Sequence, residues 1–261
     1  MGKAARDRTA RERLAEERER HAKRQKQARA LMISLGAVAV IAIVVFTVVL
    51  TRSGDDEPSA NQGPVVPATR QADGSVVMAE PGVERPVLEI FEDFQCPSCK
   101  EFEKLNGQTI KQLAAARKVR VVYRPFQLFR QEPMKSNSLR AANAALCAPA
   151  DRWIPFHDLI YRHQPKEGDT GFSNDDLISW AGKAGIHGPA FGKCVANHEK
   201  YAQVASMTQY AVQTAKVTST PTIKLDGKTL GTAQTFTVDG LRKAILAAAG
   251  GAQSAPAPAR S

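Results

Sequence analysis

The chain of 261 residues predicts an α/β domain whose sheet is interrupted by a helical block, behind a single apolar N-terminal helix. Three observations carry that expectation. Two runs rich in β-branched and aromatic residues, 87–91 and 119–123, flank a helical stretch. Strand signals then disappear until Thr222, where a hairpin pattern brings them back. Lastly, residues 30–51 contain no charged side chain.

The N-terminal segment comes first. The first 30 residues carry 11 Lys or Arg against 5 acidic residues, which is +6 of the formal net charge of +10. The rest of the chain, at +4, is only mildly basic. A basic tail of this kind, with Leu14 almost its only large apolar side chain, cannot form a core and reads as a solvated, topology-setting segment. No nucleic-acid role follows for the domain behind it. Residues 30–51, at about 1.5 Å each, give about 33 Å of helix, enough for a bilayer core of about 30 Å. A cleaved signal peptide would have a shorter apolar region and a small-residue cleavage site. Here the run ends in Arg52, followed by Asp55, Asp56 and Glu57. Basic residues stay on the cytoplasmic side, so the N-terminus is expected inside and everything after Thr51 outside. That places all four cysteines where disulfides persist.

Residues 52–74 are polar, contain Pro58, Pro64 and Pro67, and read as a flexible linker. The folded domain is expected over 75–249 and a disordered tail over 250–261, where Ala-Pro repeats appear. Within the domain the pattern predicts strands at 75–78, 87–91 and 119–123, with a helix at 97–115, in which Gly107 is a candidate break, before the third. A helical insert of about 136–198 follows, with helices at 136–148, 153–163, 174–184 and 190–198, and then a helix at 201–215. Strands at 222–225 and 228–230 turn through Asp226-Gly227, and a last amphipathic helix spans 238–248. With the insert removed, the order β-α-β, α-β-β-α is that of a thioredoxin fold, one sheet with helices on both faces.

Cys96-Pro97-Ser98-Cys99 follows a strand and opens a helix, the setting in which a C-x-x-C pair has redox meaning. Helix starts carry unpartnered N–H groups and partial positive charge, so a thiolate there is stabilised and its pKa falls. Pro97 suits the first helical turn, where a missing donor costs nothing. Cys96 is thus the expected exposed nucleophile and Cys99 the shielded resolving thiol. A stabilised thiolate belongs to the reduced form, so it makes the disulfide more oxidising, by about 30 mV per unit of pKa. The alternatives are a structural disulfide, whose loop is too small to stabilise much, and half of a zinc site. Zinc lacks support, because no second C-x-x-C exists and His157, His163, His187 and His198 show no paired spacing.

The segment Phe91-Glu92-Asp93-Phe94-Gln95-Cys96-Pro97-Ser98-Cys99-Lys100-Glu101-Phe102 resembles the active-site segment of DsbA-like, thioredoxin_4-type proteins. Val217-Thr218-Ser219-Thr220-Pro221-Thr222 resembles that family's cis-proline loop, and the insert resembles its helical insertion. The resemblance covers about 75–249. It implies a cis bond at Thr220-Pro221 facing the cysteine pair, with Thr220 pairing to an extended substrate peptide. Ser98 departs from the Cys-Pro-His-Cys pattern of the familiar oxidase, so the motif sets no value for the potential. Family members often use a buried acid to relay protons near the resolving thiol. Glu89, Glu92 and Asp93 are the candidates, with Asp93 preferred.

Cys147 and Cys194 have no cysteine neighbour in sequence. Bonded together they would close a loop of about 48 residues, worth about 4 kcal/mol in the chain-entropy model; two buried free thiols are the alternative. Trp153, Phe156, Leu159 and Ile160 are helix-spaced and read as core, His157 as a satisfied or exposed histidine. Phe94, Phe126, Leu128 and Phe129 read either as core or as an apolar platform near the active face. The expected activity is a thiol–disulfide oxidoreductase that introduces disulfides into exported cysteine-containing proteins. Reoxidation would come from a quinone-linked membrane partner, DsbB-like or of the vitamin K epoxide reductase type. No organic cofactor and no metal are called for. A reductase or isomerase, a non-catalytic binding or chaperone module, and a metallochaperone are the rival readings.

Overall fold

The structure is a computed structural model that describes residues 64–253. The basic segment 1–29, the apolar span 30–51 and most of the linker lie outside the described residues. Among the described residues no helix is long and apolar enough to cross a membrane.

Six strands form one sheet. They are β1 (Ala68–Arg70), β2 (Val76–Met78), β3 (Val87–Glu92), β4 (Arg120–Pro125), β5 (Thr222–Leu225) and β6 (Lys228–Thr229), in the order β1-β2-β4-β3-β5-β6. β3 and β4 lie parallel at the centre, joined by helix α1 (Pro97–Ala115), and every other pairing is antiparallel. The β-branched run that predicts β4 makes a central strand because Val121 and Tyr123 are fully buried. Alternation along β3 sends Leu88 and Ile90 into the main core and Phe91 into a separate buried cluster with Phe126, Ala211 and Val217. The tight β5–β6 turn uses Asp226 and Gly227, both at positive φ, as a two-residue hairpin loop demands.

The helical insert comprises α2 (Met134–Cys147), α3 (Ala150–Arg162), α4 (Asn174–Lys183) and α5 (Pro189–Ala196). After it, α6 (Tyr201–Gln209) ends in a π-helical turn, Tyr210–Thr214, rather than running as one α-helix to residue 215. A short α7 (Thr232–Thr235) precedes α8 (Val238–Gln253), whose Leu241 and Ile245 are fully buried. Trp153, Phe156 and Ile160 are fully buried in the core and Leu159 nearly so.

Several expectations need correction. The linker assigned to 52–74 already holds β1, which no alternation pattern marks. Its register is imposed from a distance: β1 pairs with β2, and the Arg70 guanidinium donates to the carbonyls of Ala145 and Ala148 at 3.1 and 2.7 Å. Those are end-of-helix carbonyls with no partner inside α2. Residues 250–253, expected in a disordered tail, belong to α8, which continues to Gln253; residues 254–261 lie outside the described residues. Ala247, Ala248 and Ala249 propagate the helix through the two glycines. Helix α1 is unbroken at Gly107, which is buried in it.

Candidate active site

Helix α1 starts where the predicted chemistry needs it. Cys96 is its N-cap residue and Pro97 its first. The backbone N–H of Cys99 and that of Lys100 donate to the Cys96 carbonyl, at 3.1 and 3.2 Å. One turn in, Cys99 is fully buried; Phe102, Ile110 and Leu113 continue its face into the core. Cys96 is less open than expected of a nucleophile, at 6 % exposure. Both are free thiols here.

The two thiols differ sharply in acidity. A hydrogen bond from Cys99 is the largest influence on Cys96. Against the opposing effect of burial, it and contributions from Thr220 and the Cys99 amide lower the Cys96 pKa from 9.0 to about 7. The helix start therefore contributes through its amide, but the partner thiol does more. Burial pushes Cys99 well above the usual thiol range, and negative charge on Cys96 and Glu92 adds to the effect. Facing the pair, the Thr220–Pro221 peptide is cis, and the Thr220 carbonyl lies 3.4 Å from Cys96 Sγ. Among the described residues the buried Thr220 hydroxyl has no hydrogen-bond partner.

The three candidate acids separate. Glu89 pairs with Arg124 at 2.9 Å. Asp93 is fully buried, and its carboxylate accepts from the amides of Gln95 and Leu128, at 2.8 and 2.7 Å, and from Ser138 Oγ. Burial raises its pKa against those hydrogen bonds. Its carboxylate thus ties the active-site loop to the β4–α2 loop and to α2, and its charge bears on Cys96. Glu92 is the acid whose charge reaches Cys99. It is fully buried, 2.9 Å from His157 Nε2 and 3.1 Å from the Tyr161 hydroxyl, which donates to it. Burial opposes charge on His157, but Glu92, with help from Asp158, prevails and raises its pKa to about 10. Burial raises the neighbouring Glu103 to about 8.

Glu92, Glu103 and His157 place one donor atom each within 4.8 Å of one another, the set among the described residues that could hold a metal ion. Glu92 and His157 already satisfy each other, so the set reads as a buried ion pair with a neutral acid beside it. Of the two readings the sequence left open for His157, satisfied or exposed, the first holds, through a partner 65 positions away that no local pattern marks.

Cys147 is bonded to Cys194, across 47 positions and with Cα atoms 5.9 Å apart, joining α2 to α5. Phe94 and Phe126 are buried as core, while Leu128 and Phe129 are half-buried.

A nucleophilic thiol, a more basic buried partner and a cis-proline loop on one thioredoxin-type sheet define the class: a thiol–disulfide oxidoreductase. The family model described as "Thioredoxin" (Thioredoxin_4) matches residues 85–247, and the chain belongs to that family. No curated protein matches the chain by sequence. Among solved structures, oxidised DsbA from Mycobacterium tuberculosis is 26 % identical with a TM-score of 0.57, over 71 % of this chain and 93 % of that one. The reduced disulfide bond oxidoreductase DsbG of the same organism is 25 % identical with a TM-score of 0.53, over 72 % and 94 %. MdbA of Actinomyces oris, a thiol-disulfide oxidoreductase, shares the fold at 22 % identity and a TM-score of 0.59, over 74 % and 97 %.

Proposed function

We propose that the protein is a DsbA-like oxidase that donates its Cys96–Cys99 disulfide to exported proteins. The observation that carries this reading is the geometry: a Cys96–Cys99 pair at the head of α1, with the cis Thr220–Pro221 peptide facing it and the Thr220 carbonyl 3.4 Å from Cys96 Sγ, on a sheet interrupted by the helical insert. A substrate thiolate attacks Cys96 Sγ of the oxidised pair, and the bond to Cys99 breaks. The sulfur leaving at Cys99 takes up a proton. Held as a thiol, Cys99 is slow to attack the mixed disulfide, because the thiolate is the nucleophile. The substrate's second thiolate attacks instead, releases Cys96 as a thiolate and leaves with a disulfide. The cis Thr220–Pro221 loop lies where a substrate peptide would align its sulfur with Cys96.

The apolar span 30–51 would anchor the domain with its N-terminus in the cytoplasm and the site outside. Reoxidation by a quinone-linked membrane partner, DsbB-like or of the vitamin K epoxide reductase type, fits such a leash. Asp93, filled by its loop partners, is not assigned the relay in this scheme.

Two measurements test the reading. Equilibration with glutathione should place the potential above that of thioredoxin, about −270 mV; a value at or below it makes the protein a reductase. In cells, Cys99→Ala should accumulate exported proteins disulfide-bonded to Cys96. A variant that captures none identifies a binding module instead.

A further inference from the structure

The active-site turn is held by the helical insert as well as by its own helix. Gln164, just beyond the end of α3, donates from Nε2 to the carbonyl of Phe94 at 2.7 Å and to that of Cys96 at 2.9 Å. The surrounding contacts join the same two segments. The Tyr161 hydroxyl reaches Glu92, its ring lies 5.1 Å from Phe94, and Lys100 Nζ donates to the Arg162 carbonyl at 3.3 Å. One amide thus bridges the two carbonyls that bracket Gln95 and the start of the nucleophile's turn.

We infer that Gln164 is a positioning residue through which the helical insert sets the acidity, and hence the redox poise, of Cys96. The physical reason is local. The Cys96 carbonyl belongs to the same residue as the thiolate, and its negative end opposes charge on that sulfur. It already receives the amides of Cys99 and Lys100. A third donor draws electron density from it and prevents the turn from rotating that oxygen toward sulfur. The benefit exists only when Cys96 carries charge, so it favours the reduced form and makes the disulfide more oxidising. Other ionisable groups bearing on Cys96 are Cys99 on the same helix, Asp93 in the loop before it and Tyr161 on α3. None of them replaces a donor on the carbonyl.

This inference deepens the proposed redox function and rests on it, yet its test reads the thiol rather than the direction of electron flow. In the full chain held in detergent, Gln164→Glu removes both donors and sets carboxylate oxygens against the two carbonyls. Gln164→Met removes the donors while keeping length and shape. Thiolate absorbance of the reduced protein against pH should show Cys96 titrating higher in both variants, further in Gln164→Glu. The equilibrium constant with glutathione should fall about tenfold, or about 30 mV. Thermal unfolding of the oxidised Gln164→Met protein reports whether it folds as the parent does. Folded variants whose titration and equilibrium constant match the parent within twofold overturn the assignment. A parent poised as a reductase would sink the oxidase reading alone, because the variant-to-parent difference would still be measured.

Discussion

A buried carboxylate needs an answering charge, and at Glu92 that answer is His157. Removing one partner of a buried pair leaves the other uncompensated, so His157→Ala should destabilise the fold by about 3 to 5 kcal/mol. Urea unfolding measures this, and a loss under about 1 kcal/mol would mean that Glu92 simply takes up a proton. The sign of the pH dependence follows from the raised pKa. A histidine at about 10 in the folded state against 6.5 ordinarily gives stabilisation that is full below 6.5 and lost as pH rises through about 10. Glu103, raised from 4.5 to about 8, loses its contribution over the lower window between those values. The parent's melting temperature should therefore decline toward alkaline pH, with a shallower slope in His157→Ala between 6.5 and about 10. At Cys96 the reading is direct: alkylation by iodoacetamide should rise with a midpoint at about pH 7, while Cys99 stays unreactive.

At the scale of elements, the insert is attached by covalent and polar links that the sheet alone would lack. The Cys147–Cys194 bond closes a loop of 47 positions between α2 and α5. In the chain-entropy model that restriction of the unfolded chain is worth about 4 kcal/mol. A Cys147→Ala/Cys194→Ala double variant should lose stability of that order in denaturant unfolding. An unchanged midpoint would show that the insert is held by packing alone. Asn137 adds to the attachment. Its amide reaches Gln95 Oε1 and the Asp169 carbonyl, each at 2.8 Å, while Ser138 on the same helix reaches Asp93. The elements that carry the nucleophile and the insert are thus linked through the residues just before Cys96.

For the whole molecule, the described domain and the N-terminal segment make separable contributions to the proposed function. The domain holds both thiols, the cis-proline loop and the acid pairs. The uncharged span 30–51 and its basic flank supply the proposed membrane attachment. A chain beginning at residue 52 should appear in the soluble fraction and keep the parent's glutathione equilibrium. If it remains with membranes, the attachment resides in the domain. If its equilibrium shifts, the N-terminal segment bears on the site.

Local patterns were legible because local physics produces them. A C-x-x-C between a β-branched run and a helix start, a Thr-Pro just before a later strand and an Asp-Gly hairpin turn each depend on a few adjacent residues. These sufficed for the order of elements and for nominating Cys96 and Cys99, while Thr220 and Pro221 entered through the resemblance of their loop to the family's. Partnerships across the fold were not legible. Glu92 with His157, Asp93 with Ser138, Arg70 with the end of α2 and Gln164 with the nucleophile's carbonyl join residues 45 or more positions apart, and no periodicity encodes such a pairing. Sequence alone determined which sulfur heads a helix. The tertiary structure decided which acid stands behind its partner and what holds the turn, because burial and hydrogen-bond distance exist only once the chain has closed on itself.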